Sequence, residues 1–242
     1  MSLGSWLLGM TLGIGVASAQ AADARFLALG DSYTIGEGVD AAGRWPDQLA
    51  AALSKAGSAI APPEIVARTG WTTDELSAAM DKHVFHPPYD LVTLLIGVNN
   101  QYRAGQEPKS PGGKGGPGGA GRDLDNYRSE FQALLQRAIA LSGGRPQHVV
   151  VVSIPDWGVT RFGRHSGRDT ATIARELDLY NEANAKIASS LHVRYADVTA
   201  ASRNGGDQPD MLVGDGLHPS AAMYRRWVAA IEPEARAALS SP

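Results

Sequence analysis

The chain has 242 residues, of which 43% are hydrophobic and 19% charged, as in a folded chain with one sizeable core and unlike a disordered one. Its formal net charge is −3 and its Lys and Arg residues form no basic run, so we expect no nucleic-acid partner. It contains no cysteine, which excludes disulfides, zinc–thiolate sites, a thiol nucleophile and a cysteine-linked lipid anchor.

The first residues of the chain have the pattern of a signal peptide. They carry no charged side chain until Asp23, and their apolar centre is too short to span a bilayer comfortably. Ala17-Ser18-Ala19 has the small-x-small pattern of a signal-peptidase site, although no Lys or Arg precedes the apolar part. We therefore expect residues 1–19 to be a signal peptide of a periplasmic or secreted protein. The remaining domain, residues 20–242, would keep no stable membrane span. The alternative is an uncleaved apolar anchor.

Apolar, strand-like runs alternate with helical patterns along the rest of the chain. The predicted strands cover residues 24–30, 63–70, 90–97, 147–155 and 193–198, and the predicted helices cover residues 44–57, 72–83, 126–144, 171–190 and 220–239. The helix after the second strand begins with a capping-box pattern, from Thr72 to Glu75. This alternation predicts an α/β domain with a parallel sheet and helices on both of its faces.

Residues 105–121 interrupt this alternation with a low-complexity stretch rich in Gly and Pro. Such a composition cannot bury enough apolar area to offset the entropy of ordering the chain. A phosphate-binding loop is excluded, because Lys114 is followed by Gly and not by Ser or Thr. We expect a flexible surface loop between the third strand and its helix.

Polar residues and glycines follow four of the predicted elements at the edge where parallel α/β sheets bind ligands. Gly30-Asp31-Ser32 follows the first strand, Gly70 the second, and the sequence GVNN (97–100) the third. The sequence DGLHP (215–219) precedes the last helix. A serine, a bare backbone amide, a carboxamide and a carboxylate with an imidazole are the groups that acyl transfer requires.

Each of these groups has a defined role in that chemistry. A serine hydroxyl attacks only when a base takes its proton, so Ser32 would be the nucleophile and His218 the base. Asp215, three residues before His218, would orient the imidazole. The N–H groups of Ser32 and Gly70 and the side chain of Asn99 would form the oxyanion hole. The hypothesis predicts activity that falls in acid as His218 is protonated.

These four blocks resemble those of the GDSL, or SGNH, hydrolase superfamily in order and spacing, from about Arg25 to the C-terminal helix. The resemblance implies a flavodoxin-like, three-layer α/β/α sandwich with a five-stranded parallel sheet. It also implies a Ser-His-Asp triad that cleaves carboxylic esters of small molecules, lipids or glycans through an acyl-enzyme, without metal or cofactor. The chain departs from the family pattern at two positions: Tyr33 replaces the Leu of the family name, and Asn100 stands where Asp is frequent.

Two other functions stay open at this point. A glycan O-deacetylase would use the same groups on acetylated sugars, and a binding module would keep the fold without catalysis. The complete set of catalytic groups argues against the binding module. A dinucleotide-binding motif at residues 36–41 lies too far past the strand and too far before the next helix to fit.

Several further side chains have competing interpretations. Tyr33 and Trp157 either line the substrate pocket or pack beneath it. His83 and His86 lie three residues apart, but no acidic partner completes a helical zinc motif, so we expect a surface cluster at a helix end.

Overall fold

The computed structural model of the chain describes residues 23–104 and 119–241, except the side chains of residues 119–123. The predicted signal peptide and most of the predicted Gly/Pro-rich loop lie outside the described residues. Five strands form one parallel sheet: β1 (Phe26–Asp31), β2 (Glu64–Arg68), β3 (Leu91–Leu95), β4 (Val149–Val152) and β5 (Arg194–Ala196). The parallel sheet predicted from the sequence is therefore confirmed.

The helices fall between these strands and after the last one, as the sequence pattern predicts, and the described residues contain four short helices in addition. They are α1 (Ser32–Ile35), α2 (Trp45–Lys55), α3 (Thr73–Lys82), α4 (Val98–Ala104), α5 (Gly119–Leu141), α6 (Arg161–His165), α7 (Thr170–Ser190), α8 (Thr199–Arg203) and α9 (Ala221–Leu239). The described start of α5 falls inside the stretch predicted as a loop. Among the described residues, no helix is both long and apolar enough to cross a membrane.

The strand order is β2-β1-β3-β4-β5, which places the first strand inside the sheet. Leu29 of β1 is opposite Val66 of β2 on one side and Leu94 of β3 on the other. On one face α9 packs against β3, β4 and β5 and also contacts α2; on the other face α5 packs against β3, α3 and α7. The result is the three-layer sandwich that the family resemblance implies.

Strand composition follows this layering. The four valines of β4 and all five residues of β3 are buried, as expected for strands covered by helices on both faces. The capping box at the start of α3 is present: the Thr72 N–H donates to Glu75 Oε2 at 3.0 Å. The two faces of the sheet are thus fixed by apolar burial, and the loops at its carboxyl edge are free to carry polar groups.

Candidate active site

The first candidate segment begins where β1 ends. Asp31 caps α1, since its Oδ1 accepts from the Tyr33 N–H at 3.0 Å, and this places Ser32 in the first turn of that short helix. Gly30 allows the tight turn, because a Cβ there would lie 2.2 Å from Thr34 Oγ1 and 2.5 Å from the Leu95 carbonyl oxygen. Asp31 is completely buried, and desolvation raises its pKa to about 7, although the Tyr33 N–H opposes the shift.

The Asp215–His218 loop lies between β5 and α9. His218 Nδ1 and Asp215 Oδ2 are 2.6 Å apart, and Asp215 Oδ1 accepts from the N–H groups of Leu217 at 2.8 Å and of His218 at 3.0 Å. Desolvation works against ionisation of Asp215, but the hydrogen bonds from the His218 ring and the two backbone N–H groups together lower its pKa. The carboxylate is therefore ionised and fixes one nitrogen of the imidazole, leaving Nε2 available.

A neighbouring segment holds this loop from outside. The Phe162 N–H donates to the Gly216 carbonyl at 2.9 Å, and Arg161 Nη2 donates to the Gly214 carbonyl at 2.9 Å. Gly216 has a φ of +72°, and a Cβ there would lie 2.6 Å from Arg161 Nε. The left-handed backbone at Gly216 favours glycine, and any other residue would also displace the guanidinium group.

Gly70 and Asn99 come from two neighbouring loops. Gly70 has a φ of +86°, and its carbonyl accepts from Arg103 Nη2 at 2.7 Å. Asn99 lies in the first turn of α4 and donates one hydrogen of Nδ2 to the Trp71 carbonyl at 3.0 Å. A carboxamide nitrogen carries two hydrogens, so the second remains available to a ligand.

Asn100, at the position where the family often has Asp, supports α3. Its Oδ1 accepts from the Thr73 N–H at 3.1 Å, and its Nδ2 donates to Thr73 Oγ1 at 2.7 Å. Both polar atoms of the Asn100 side chain thus bond to Thr73, at the N-terminus of α3. Its side chain stabilises the scaffold beside Asn99.

Ser32, Gly70, Asn99 and His218 line one cavity of about 170 Å³. Its remaining lining residues are mostly apolar: Tyr33, Thr69, Val98, Tyr102, Trp157, Phe162 and Leu217. In the part of the chain that the structure describes, no hydrogen bond joins the Ser32 hydroxyl to His218, and such contacts often tighten only when substrate binds. The cavity thus brings together a serine, a histidine and an asparagine side chain with Gly70.

Tyr33 and Trp157 both lie at this cavity. The Tyr33 ring packs against the His218 ring, with 5.4 Å between centroids, and Trp157 is 2% exposed. Sequence reasoning missed Tyr102 and Phe162, which form an aromatic wall with Trp157. Tyr102 follows Asn99 by one helical turn, but α4 itself was not predicted, so this signal could not be used.

The two neighbouring histidines lie in a separate part of the molecule. His83 Nε2 lies 2.7 Å from Glu64 Oε1, at the far end of α3 from Gly70. Within residues 23–104 and 119–241, no three His, Asp or Glu side chains are grouped so that they could hold a metal ion.

Comparison with known proteins gives a family match and a set of similar folds. Residues 28–226 match the model of the GDSL-like lipase/acylhydrolase family. The crystal structure of TesA is 18% identical, with a TM-score of 0.64 over 89% of this chain and 99% of that one. Axe2, an acetylxylan esterase from Geobacillus stearothermophilus, is 19% identical, with a TM-score of 0.62 over 88% and 94%.

A third solved structure extends this comparison. The psychrotrophic esterase EstA from Pseudoalteromonas sp. is 15% identical, with a TM-score of 0.60 over 90% of this chain and all of the other. At these identities the solved structures support the fold alone. A search of curated protein sequences finds no significant match.

Proposed function

The chain belongs to the GDSL-like lipase/acylhydrolase family, and from this membership and the geometry of the cavity we propose that it is a serine esterase. The observation that carries the proposal is the 2.6 Å hydrogen bond between Asp215 and His218 beside a cavity that Ser32 also lines. A carboxylate-oriented imidazole next to a serine hydroxyl is the arrangement that nucleophilic acyl transfer needs.

In the proposed mechanism, Ser32 Oγ attacks the ester carbonyl carbon while His218 Nε2 accepts its proton. The negative charge that develops on the carbonyl oxygen is stabilised by the N–H groups of Ser32 and Gly70 and by the free hydrogen of Asn99 Nδ2. When this intermediate collapses, His218 gives its proton to the alcohol oxygen and the alcohol leaves. The acyl group stays on Ser32 Oγ. A water molecule, deprotonated by His218, then attacks the acyl carbon, and collapse of the second intermediate releases the acid while His218 returns the proton to Ser32 Oγ.

Hydrolysis of p-nitrophenyl acetate by the wild type and Ser32→Ala tests this proposal. We expect the substitution to lower kcat by at least about 10⁴-fold, because the residual activity of triad variants comes from binding and the oxyanion hole alone. Ser129→Ala, which removes an exposed hydroxyl on α5, is the matched control and should retain full activity. Turnover that survives Ser32→Ala would contradict the nucleophile assignment.

Labelling with a fluorophosphonate probe separates the esterase from an inactive binding module. The probe forms a covalent bond only with an activated serine, so labelling of the wild type but not of Ser32→Ala is expected. A wild-type protein that is not labelled would favour the binding module.

Glycan O-deacetylation is the second candidate function, and the size of the cavity favours it. A cavity of about 170 Å³ suits a small acyl group such as acetyl, and Axe2, with a similar fold, is an acetylxylan esterase. Acetate release from acetylated xylan at a higher kcat/KM than from p-nitrophenyl acetate would identify a deacetylase. The reverse order would favour a general esterase.

Export is part of the same proposal. The apolar, uncharged start of the sequence and its Ala17-Ser18-Ala19 site predict cleavage after residue 19. Expression of the full chain in a bacterium, followed by fractionation and N-terminal sequencing, should give a periplasmic or secreted protein that begins at Gln20. An intact N-terminus in the membrane fraction would indicate an anchor instead.

A further inference from the structure

The candidate cavity has a second, smaller cavity behind it. This inner cavity of about 20 Å³ lies between the end of β4 and α9, and buried residues such as Met223 and Trp227 line it. The two cavities share three lining residues, Tyr33, Trp157 and Leu217. These three side chains, which we call the partition, therefore stand between a cavity that contains the candidate catalytic groups and a smaller space with mostly apolar walls.

Trp157 is the largest part of this partition, and its position is fixed by hydrogen bonds. Its Nε1–H donates to Gln101 Oε1 at 2.8 Å, and Gln101 Nε2 donates to Glu176 Oε2 at 2.6 Å. Arg168 pairs with Glu176 and places its guanidinium carbon 5.7 Å from the centre of the Trp157 ring. Four side chains from separate elements thus form a closed ring, which we call the indole lock.

The backbone around Trp157 is fixed as well. The Trp157 carbonyl accepts from Thr160 Oγ1 at 2.7 Å, and a Cβ on Gly163 would lie 2.3 Å from the same oxygen. Gln101 is itself 1% exposed, so removal of its carboxamide would leave the indole N–H unpaired in a dry environment. Neither the ring nor its main chain can therefore move aside at low cost.

We propose that Trp157, held by Gln101, is the specificity-determining residue that limits the substrate to esters of short acyl groups. The inference rests on the proposed serine esterase function. The leaving alcohol must reach solvent after the first step, so it occupies the open side of the cavity and its size is not limited by the partition. The acyl group stays bound to Ser32, and the Trp157 side chain fills the space at the cavity wall into which a longer chain would extend.

The cavity volume agrees with this assignment. Pockets that hold drug-sized ligands have volumes of roughly 300–1,000 Å³, whereas this cavity has about 170 Å³. A small side chain at position 157 would join it to the inner cavity. The joined space is apolar, so it would gain affinity for each methylene group that it buries.

The test compares kcat/KM for p-nitrophenyl esters from acetyl to dodecanoyl in four proteins. We expect the wild type to prefer acetyl to butanoyl esters, and Trp157→Leu to raise the octanoyl-to-acetyl ratio by about tenfold or more, since one methylene in an apolar pocket already discriminates by about 10-fold. Gln101→Met keeps the side-chain volume but removes both hydrogen bonds of the lock. This variant should raise the ratio less, through a lower KM for the long ester.

Trp45→Leu is the matched control. Trp45 is completely buried on α2 and lines neither cavity, so the variant loses an indole of equal size without opening the partition. Its octanoyl-to-acetyl ratio should equal that of the wild type, even if its Tm falls. If Trp157→Leu does not fold, Gln101→Met decides the question. An octanoyl-to-acetyl ratio in Gln101→Met equal to that of the wild type would overturn the proposal.

Two other outcomes separate this inference from the proposed function. A wild type with Ser32-dependent turnover that is greatest for long esters overturns the acyl-length assignment and keeps the esterase. If Trp157→Leu changes kcat/KM only for acetates of larger alcohols, the acyl-length assignment is overturned as well, because Trp157 would then face the alcohol. The absence of Ser32-dependent turnover for every ester would overturn both proposals.

Discussion

The two halves of the candidate site are held in different ways. Asp31 ends, and Ser32 follows, a strand that pairs with neighbours on both sides, and both residues are buried, at 0% and 4% exposure. The Asp215–His218 loop follows no strand directly, and the Asp215 side chain is 43% exposed. The nucleophile side is positioned by sheet register and burial. The base side is positioned by hydrogen bonds within its own loop and from Arg161 and Phe162.

Because of this difference, substitutions on the two sides should affect catalysis and folding stability differently. A change at the partly exposed Asp215 removes few buried contacts, so it should alter chemistry with little effect on folding. A change beside Ser32 acts in a dry environment where an unpaired charge or donor costs much more. The following three predictions test this comparison.

Asp215→Asn should give the largest effect, on activity alone. An asparagine reverses donor and acceptor opposite His218 Nδ1 and favours the wrong imidazole tautomer, so kcat should fall by about 10³–10⁴-fold. Because Asp215 is partly exposed, the free energy of unfolding should change by less than about 1 kcal/mol. Ester hydrolysis and urea unfolding measure both quantities.

Asp210→Asn, in the same segment and exposed, is the control for that change and should leave both quantities at the wild-type value. An Asp215→Asn protein with a kcat within tenfold of the wild-type value would contradict the role of Asp215 in orienting His218. A large loss of stability would contradict the comparison itself.

Asn99→Ala and Asn100→Ala test the oxyanion side with two adjacent carboxamides. Asn99→Ala should lower kcat by about 10²–10³-fold with a smaller change in KM, as expected for the loss of one oxyanion donor. Asn100→Ala should instead lower stability by about 1–2 kcal/mol, since Thr73 loses two hydrogen bonds. Equal losses of kcat in the two variants would show that both act through the scaffold.

Asp31→Asn should act on stability alone. The folded pKa of Asp31 is raised to about 7 from an ordinary value of 3.8, so between these pH values the folded protein binds a proton that the unfolded chain does not. Stability from this group is therefore present at low pH and lost as the pH rises towards 7. Asparagine caps a helix as well as aspartate and carries no charge.

Urea unfolding at pH 5 and pH 8 measures this effect. Asp31→Asn should be more stable than the wild type at pH 8, and its advantage should exceed that at pH 5 by on the order of 2–3 kcal/mol, because tenfold in proton affinity corresponds to about 1.4 kcal/mol. The same advantage at both pH values would mean that burial does not raise the pKa of Asp31.

The regular part of the fold could be predicted from the sequence because burial imposes a pattern. The runs at 90–97 and 147–155 contain the buried strands β3 and β4, and the Thr72–Glu75 pattern marks the start of α3. The segments of the candidate site could be found because each lies at the end of such an element. These signals are local in the chain.

The short helices and the walls of the cavity could not be predicted, because their contacts are distant in sequence. α4 and α6 are too short for a helical period, and Gln101 meets Trp157 across 56 positions of the chain. The hydrogen bond from Arg161 to the Gly214 carbonyl likewise joins residues 53 positions apart. The buried state of Asp31 likewise depends on helices packed over both faces of the sheet.

The position of the two candidate catalytic residues along the chain has a consequence for synthesis. Ser32 follows the first strand, whereas His218 comes immediately before the last helix, and β1 needs β3 as a neighbour before it is enclosed. Chains emerge from the ribosome with the N-terminal part first. Under the proposed mechanism, a nascent chain would carry Ser32 long before His218, so it could not hydrolyse esters until translation is almost complete.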